Sequence, residues 1–300
     1  MTEDKIDKNR IRKRDKADRA TVDDCLDERT MLIMDKLLTT EKLSEFGGCI
    51  ATGKEANVYS GQGSWDWKAR EAFEPDENFD IPVKDYAIKI FKVAVMTFKD
   101  RERYVAGEFR FRRGGYKKNP RKMIRMWAEK EVRNLKRIAE LNGVIPVPYP
   151  HYLKNNVIVM DFLGTKDGKA APRLRDANVE DWSSAYTQTM LIIRRMYTRC
   201  KLVHADLSEY NLLYHDQKVY VIDVSQAVEN DHPMALYFLR RDCSIIRDFF
   251  QKKLERVLTT QSTFDFVTDI NIQDDTEEDL LMQLLEEVTE QTIDRYEENL

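Results

Sequence analysis

His204-Ala-Asp206-Leu-Ser-Glu-Tyr-Asn211 sets a carboxylate five residues before an amide, and a second carboxylate, Asp223, follows the first by seventeen residues inside the apolar run Val221-Ile-Asp-Val224. An H-x-D-x4-N segment with a further Asp at that interval has the spacing of a phosphoryl-transfer site. Asp206 would orient an attacking hydroxyl or water, while Asn211 and Asp223 would hold Mg2+ against the phosphates of ATP. Hard oxygen ligands suit Mg2+, which keeps several waters and takes the rest of its shell from phosphate. A His and an Asp in a loop are also ordinary turn residues, so the elements upstream must decide.

Ile50-Ala-Thr-Gly-Lys-Glu-Ala-Asn-Val-Tyr59 is the candidate phosphate-binding loop. Gly48-x4-Gly53-Lys54 matches the start of a Walker A loop, but Glu55 stands where Ser or Thr must ligate the metal, and Ala56–Ser60 reads as strand where a helix should follow. The kinase template G-x-G-x-x-G-x-V fits differently, with Ala51, Gly53 and Ala56 in its glycine positions and Val58 as its valine. The surviving glycine is the one whose backbone must approach phosphate most closely. Thr52, Gly53, Lys54, Glu55, Ala56 and Val58 are therefore the loop's nucleotide-binding candidates.

Asp85–Phe91 alternates into the V-A-I-K pattern, so Lys89 would contact the α- and β-phosphates; the competing reading is a surface Lys on an edge strand. Its partner should lie on the next helix, where apolar residues at 124, 127, 128, 132, 135 and 138 keep a helical period. Glu131 takes the ion-pair position there, with Glu129 second. Pro146–Pro150 forms a rigid connection, and Asn156–Gly164 reads as a buried strand entering a hinge. Met160 would guard an adenine pocket, and the backbone of Asp161 and Leu163 would bond the adenine edge. This order of elements predicts an α+β, bilobal protein-kinase-like fold: an N-lobe antiparallel sheet with its αC helix, then a reduced, mainly helical C-lobe.

On these residues the chain resembles the RIO family of atypical protein kinases. The resemblance is carried by Thr52–Tyr59, Asn119–Lys122, Trp127–Glu131, His204–Asn211 and Ile222–Gln226, with His232-Pro-x-Ala-Leu236 and Phe238-Leu-x-x-Asp-Cys243 adding to it, over roughly residues 45–255. The G-K-E-A-N-V-Y loop is similar to that of the first subfamily. The second carries an N-terminal winged-helix domain that about forty mostly charged residues cannot build, and the third stays open. The resemblance implies ATP and Mg2+ as cofactors and kinase or ATPase activity in late maturation of the small (pre-40S) ribosomal subunit. It also implies pre-ribosomal proteins and rRNA as partners, a cytoplasmic location with shuttling to the nucleus, and Asp223 as the carboxylate that accepts the phosphoryl group to form an acyl-phosphate.

Departures from ordinary protein kinases bear on mechanism. Ala205 replaces the Arg that would pair with a phosphorylated activation loop, and Ser208 replaces the catalytic-loop Lys that would neutralise the transferred phosphate. No D-F-G, A-P-E or long activation segment follows Asp223, and the 77 residues after it leave no room for several substrate-binding helices. Phosphorylation of a polypeptide is thus less supported than ATP binding, and a genuine Ser/Thr protein kinase is the alternative. A small-molecule phosphotransferase would need a sizeable helical domain after Asp223. An inactive scaffold is opposed by the full set Lys89, Asp206, Asn211 and Asp223.

The remaining segments divide as a charged N-terminal stretch with a short helix (1–44), an N-lobe (45–160), a C-lobe (161–270) and an acidic amphipathic helix (271–300). Net charge is −4, and no run of eighteen apolar residues implies a membrane span. Met1–Arg19 lacks an apolar signal core, and four scattered cysteines without a C-x-x-C pair fit reduced thiols. The insertion 98–122 carries ten Lys or Arg against three acids, interleaved with five aromatic rings. Such a loop could grip RNA through phosphate contacts and stacking, or close over ATP or the αC helix. Lys8–Lys16 reads as a solvated tail, with RNA contact or nuclear import as the alternative. Residues 271–300 hold eleven acids and one Arg, with a capping-box-like Thr276-Glu-Glu-Asp279 before an apolar stripe; this helix would pack on the C-lobe or dock a partner protein.

Overall fold

The computed structural model describes residues 25–64, 83–93 and 120–297, with side chains as far as 288. The expectations for Lys8–Lys16 and, apart from Pro120–Lys122, for the insertion 98–122 fall outside these residues. The chain divides into two compact units: unit 1 draws on Met1–Phe98, Tyr116–Ala128 and His151–Met160, and unit 2 on Lys99–Gly115, Glu129–Pro150 and Asp161–Leu300.

Unit 1 is built on a five-stranded sheet of β1 (Glu45–Thr52), β2 (Ala56–Gly63), β3 (Lys84–Phe91), β4 (Pro150–Lys154) and β5 (Val157–Asp161), in the order β1-β2-β3-β5-β4. The β1–β2 and β2–β3 pairs are antiparallel, and the register sets Val58 opposite Lys89 and Ala56 opposite Phe91. A strand, not a helix, follows the Gly53 turn, which removes the Walker A alternative. Helix α1 (Glu28–Thr39) starts at the N-cap Asp27, whose carboxylate accepts the Thr30 N–H at 2.8 Å. The buried face of α1, with Ile33, Met34 and Leu37, joins Tyr59, Tyr86, Ile88, Ile90, Val157 and Val159 from the strands in one core. The short helix expected in the N-terminal segment is therefore part of this sheet's apolar cover. Beside it, Asn156 donates to Thr30 Oγ1 at 2.9 Å and to the Phe91 carbonyl at 3.1 Å, satisfying polar groups that burial would otherwise penalise.

Helix α2 (Pro120–Ala139) starts four residues before the apolar periodicity expected from Ile124; Ile124, Trp127, Ala128, Leu135 and Ile138 are all buried. Pro at its first position fits a helix start, where the missing N–H would be unpaired anyway.

Unit 2 holds α3 (Trp182–Thr198), the two-residue strands β6 (Leu202–Val203) and β9 (Val228–Glu229), the hairpin β7 (Leu212–His215) and β8 (Lys218–Val221), then α4 (Ala235–Phe250), α5 (Thr260–Thr268) and α6 (Glu277–Glu297). Between Asp223 and α4 lie only one 3-10 turn, Val224–Gln226, and β9, so the long activation segment of ordinary kinases is indeed missing here. Trp182 meets Phe249 and Phe250 edge-on, and Tyr186 meets Phe250, with ring centroids 5.1–6.1 Å apart. The first turn of α6 is anchored rather than free. Glu277, 1% exposed, takes Arg195 Nε at 2.6 Å, Arg199 Nη2 at 2.7 Å and Arg194 Nε at 3.4 Å, all from α3 or the residue that ends it. Arg194 also donates through Nη1 to the carbonyls of Phe266 and Asp269 and through Nη2 to that of Ile272, which ties it to the chain leading into α6.

Candidate functional site

The β7–β8 hairpin explains how the two candidate metal ligands, Asn211 and Asp223, become neighbours. Its register runs from Leu212↔Val221 to His215↔Lys218, so Asn211 and Ile222 flank its open end. The Ile222 N–H continues the ladder to the Asn211 carbonyl at 3.1 Å, and the Ile222 carbonyl meets His204 Nε2 at 3.1 Å. Both backbone polar groups of Ile222 thereby tie the loop His204–Asn211 to the residue that precedes Asp223. His204 is 3% exposed, and burial holds its pKa below the usual imidazole value, so it acts as a neutral Nε2–H donor.

Within that loop, Asn211 Nδ2 donates to the Asp206 carbonyl at 2.8 Å, which turns Oδ1 away from that carbonyl and makes it the side to offer a cation. Asp223 adopts the left-handed conformation, φ 59° and ψ 53°, and its Oδ1 accepts from Ser225 Oγ at 3.1 Å. Asn134 of α2 fixes the next residue by donating to the Val224 carbonyl at 2.9 Å. Among the described residues no group of three or more His, Cys, Asp or Glu could hold a metal. One carboxylate and one amide oxygen suit Mg2+ shared with phosphate better than a metal held by protein alone.

Asp206 presents a carboxylate whose side chain is half exposed, accessible to a reacting group. Its position is set from below. Ala205, at φ +67°, donates its N–H to Asp242 Oδ2 at 2.8 Å, and Leu207 donates to Asp242 Oδ1 at 3.1 Å. Arg241 hydrogen-bonds the Ala205 carbonyl and places Nη2 3.9 Å from Asp206 Oδ1. Burial pushes the Asp242 carboxyl up to about 7, against the lowering effect of its two backbone hydrogen bonds and of Arg241. In the sequence Asp242 stands only among the residues that match the family, and Arg241 and Asn134 carry no signal of a role; nothing local distinguishes an Asp on a helix that will face a loop 35 residues upstream.

In unit 1, the Gly53 turn is closed by the Gly53 N–H bonding the Ala56 carbonyl at 2.9 Å and the Lys92 N–H bonding the Glu55 carbonyl at 2.8 Å. A Cβ at Gly53 would meet that same Ala56 carbonyl oxygen at 3.0 Å, so the turn is tight where phosphate was expected. Thr52 ends β1, Lys54 and Glu55 lie in the turn, and Ala56 and Val58 open β2. Lys89 is 8% exposed on β3, with its ammonium 5.1 Å from the Phe91 ring centroid, which sets aside the surface edge-strand reading. Met160 is buried at the end of β5. In unit 2, Glu131 is buried on α2, while Glu129 is partly exposed. Asp161 donates its backbone N–H to the Tyr149 carbonyl at 3.0 Å, and the Leu163 carbonyl accepts from Ala171 at 2.8 Å. A separate cavity of about 910 Å³ in unit 2, lined by Val144, Gln188, Lys218 and Met282 among others, touches none of the candidate site residues.

Comparison with known proteins agrees with this architecture. A RIO domain is matched over residues 66–263. The chain is 48% identical over 286 residues to the serine/threonine-protein kinase rio1 of Dictyostelium discoideum, covering 95% of this chain and 46% of that protein. It is 51% identical over 265 residues to the serine/threonine-protein kinase RIO1 of Caenorhabditis elegans, covering 88% and 48%. It thus spans about half the length of these relatives. Among solved structures, the Rio2 kinase–ADP/Mg2+–phosphoaspartate complex from Chaetomium thermophilum superposes with a TM-score of 0.54 at 22% identity, covering 88% of this chain and 76% of that one. That likeness establishes the kinase-like α+β fold.

Proposed function

We infer the function of this chain from its family and its site: it belongs to the RIO family, and it acts as an ATP- and Mg2+-dependent phosphoryl-transfer enzyme of the atypical-kinase type. The observation that carries this reading is the double tie at Ile222, which gathers Asp206, Asn211 and Asp223 into one loop cluster. Asn211 Oδ1 and the Asp223 carboxylate would hold the metal. Bound Mg2+ would neutralise charge on the β- and γ-phosphates. Lys89, Glu131, the Gly53 turn, Met160 and the backbone of Asp161 and Leu163 are the nucleotide contacts that the kinase motifs assign. Asp206 orients the acceptor. Attack forms a new P–O bond as the β,γ-bridging bond breaks; ADP leaves with the bridging oxygen, and the acceptor's proton passes to Asp206.

When water is the acceptor the enzyme is an ATPase. When the Asp223 carboxylate attacks, no proton moves, and an aspartyl phosphate forms that water later hydrolyses; the phosphoaspartate of the Rio2 complex supports that second route. The short segment after Asp223 favours either over transfer to a polypeptide. With the RIO resemblance, this supports a switch in maturation of the small ribosomal subunit, working in the cytoplasm on a pre-ribosomal particle, with 98–122 as an RNA contact.

The test is the fate of γ-labelled phosphate from Mg-ATP, with and without small-subunit precursor particles. Particle-stimulated free phosphate with a hydroxylamine-labile label on Asp223 is expected. Stable phosphoserine or phosphothreonine on a particle protein would replace the switch with a protein kinase.

A further inference from the structure

The catalytic loop lacks the Lys that would face the transferred phosphoryl group, because Ser208 stands two residues after Asp206. A negatively charged transition state beside the Asp206 carboxylate calls for a cation close by. The structure brings a cation to that place from another element. Arg241 lies on α4, 35 residues beyond Asp206, yet its guanidinium bonds the Ala205 carbonyl and stands 3.9 Å from Asp206 Oδ1. Its position is braced on two further sides. The guanidinium carbon lies over the Phe238 ring at 5.6 Å, and the next residue, Asp242, holds the N–H groups of Ala205 and Leu207. The Arg241 side chain is 30% exposed, so the charge is fixed without being sealed from a reacting group.

We propose that Arg241 is the positioning residue of this site, orienting Asp206 and supplying from α4 the positive charge that Ser208 withholds from the catalytic loop. The planar guanidinium suits this double task better than an ammonium. The Nη2 that bonds the Ala205 carbonyl is also the nitrogen 3.9 Å from Asp206 Oδ1, and the rigid fork fixes both contacts at once. The inference rests on the phosphoryl-transfer reading above.

The experiment measures steady-state phosphate release from Mg-ATP by wild-type, Asp206→Ala, Arg241→Gln, Arg241→Lys and the double variant Arg241→Gln/Ser208→Lys, alongside Mg-ADP affinity and thermal melting. Arg241→Gln should lower kcat about 100-fold, with KM for ATP and Mg-ADP affinity within about twofold of wild type. Arg241→Lys should recover part of the loss. The decisive arm is the double variant. A lysine returned to the catalytic loop should raise kcat about tenfold or more over Arg241→Gln, which repair of packing alone would not do. Turnover that depends on Asp206 but ignores Arg241 overturns this inference alone. So does an Arg241→Gln defect that tracks melting and is not relieved by adding Ser208→Lys. Wild-type protein without Asp206-dependent turnover overturns the phosphoryl-transfer reading together with it.

Discussion

Asp242 holds the N–H of Ala205 at 2.8 Å from a site 1% exposed, so the residue before Asp206 is kept in the left-handed region by a carboxylate on a different element. Such a conformation costs a non-glycine residue about 1–3 kcal/mol. A hydrogen bond contributes about 0.5–1.5 kcal/mol net, and the second bond to Leu207 holds the other side of Asp206. The two bonds together offset the strain and define where the Asp206 carboxylate points.

Replacing Asp242 with Ala removes both acceptors and leaves two buried N–H donors. Stability should fall by about 3 kcal/mol, and turnover should fall further than the loss of folded protein explains. Urea denaturation alongside phosphate release per folded molecule checks both.

Asp242 also gives a pH signature. Its carboxyl is raised from an ordinary 3.8 to about 7, so between those values the folded chain carries a proton that the unfolded chain has lost. Stability from this group therefore rises as pH falls from about 7 to 4. His204, held low by burial, acts oppositely: below the ordinary 6.5 the unfolded chain takes up its proton first, and stability falls with pH. Comparing wild type with Asp242→Asn cancels the His204 contribution. The cost of Asp242→Asn should be larger at pH 5 than at pH 8; an equal cost at both would show that Asp242 is not raised.

Glu277 draws three arginines from α3 and its C-terminal end onto one buried carboxylate. Glu277→Ala would leave the 1%-exposed Arg194 short of its counter-charge, a change worth about 3–5 kcal/mol for buried pairs. Chemical denaturation should show that loss. An unchanged midpoint would mean that α6 is held by its apolar face, Leu281 above all.

Asp206 and Asp223 should separate in binding. Asp206→Ala should keep Mg-ADP affinity near wild type while kcat falls by roughly two or more orders of magnitude. Asp223→Ala should weaken Mg-nucleotide binding as well, because it removes a metal ligand. Calorimetric titration distinguishes them, and equal affinities in the two variants would move the metal away from Asp223.

The kinase-like order of elements was legible in the sequence because each signal is local. Lys89 sits in a strand of period two, Ile124 to Ile138 keep a helical period, and Asp206, Asn211 and Asp223 lie on one loop and one hairpin, where spacing alone brings them close. The small residues around Gly53 announced a tight turn for the same reason. Backbone periodicity and turn chemistry act over a few residues, and so do the motifs that report them.

What only the tertiary structure decided are the long-range supports. Asp242 and Arg241 reach the loop His204–Asn211 from α4, Glu277 locks α6 to α3, and α1 joins the core of the sheet. A buried carboxylate or guanidinium looks in sequence like any charged residue on a helix. Its meaning comes from the partner that chain folding places within hydrogen-bonding distance, and that partner lies 35 residues away for Asp242 and about 80 for Glu277.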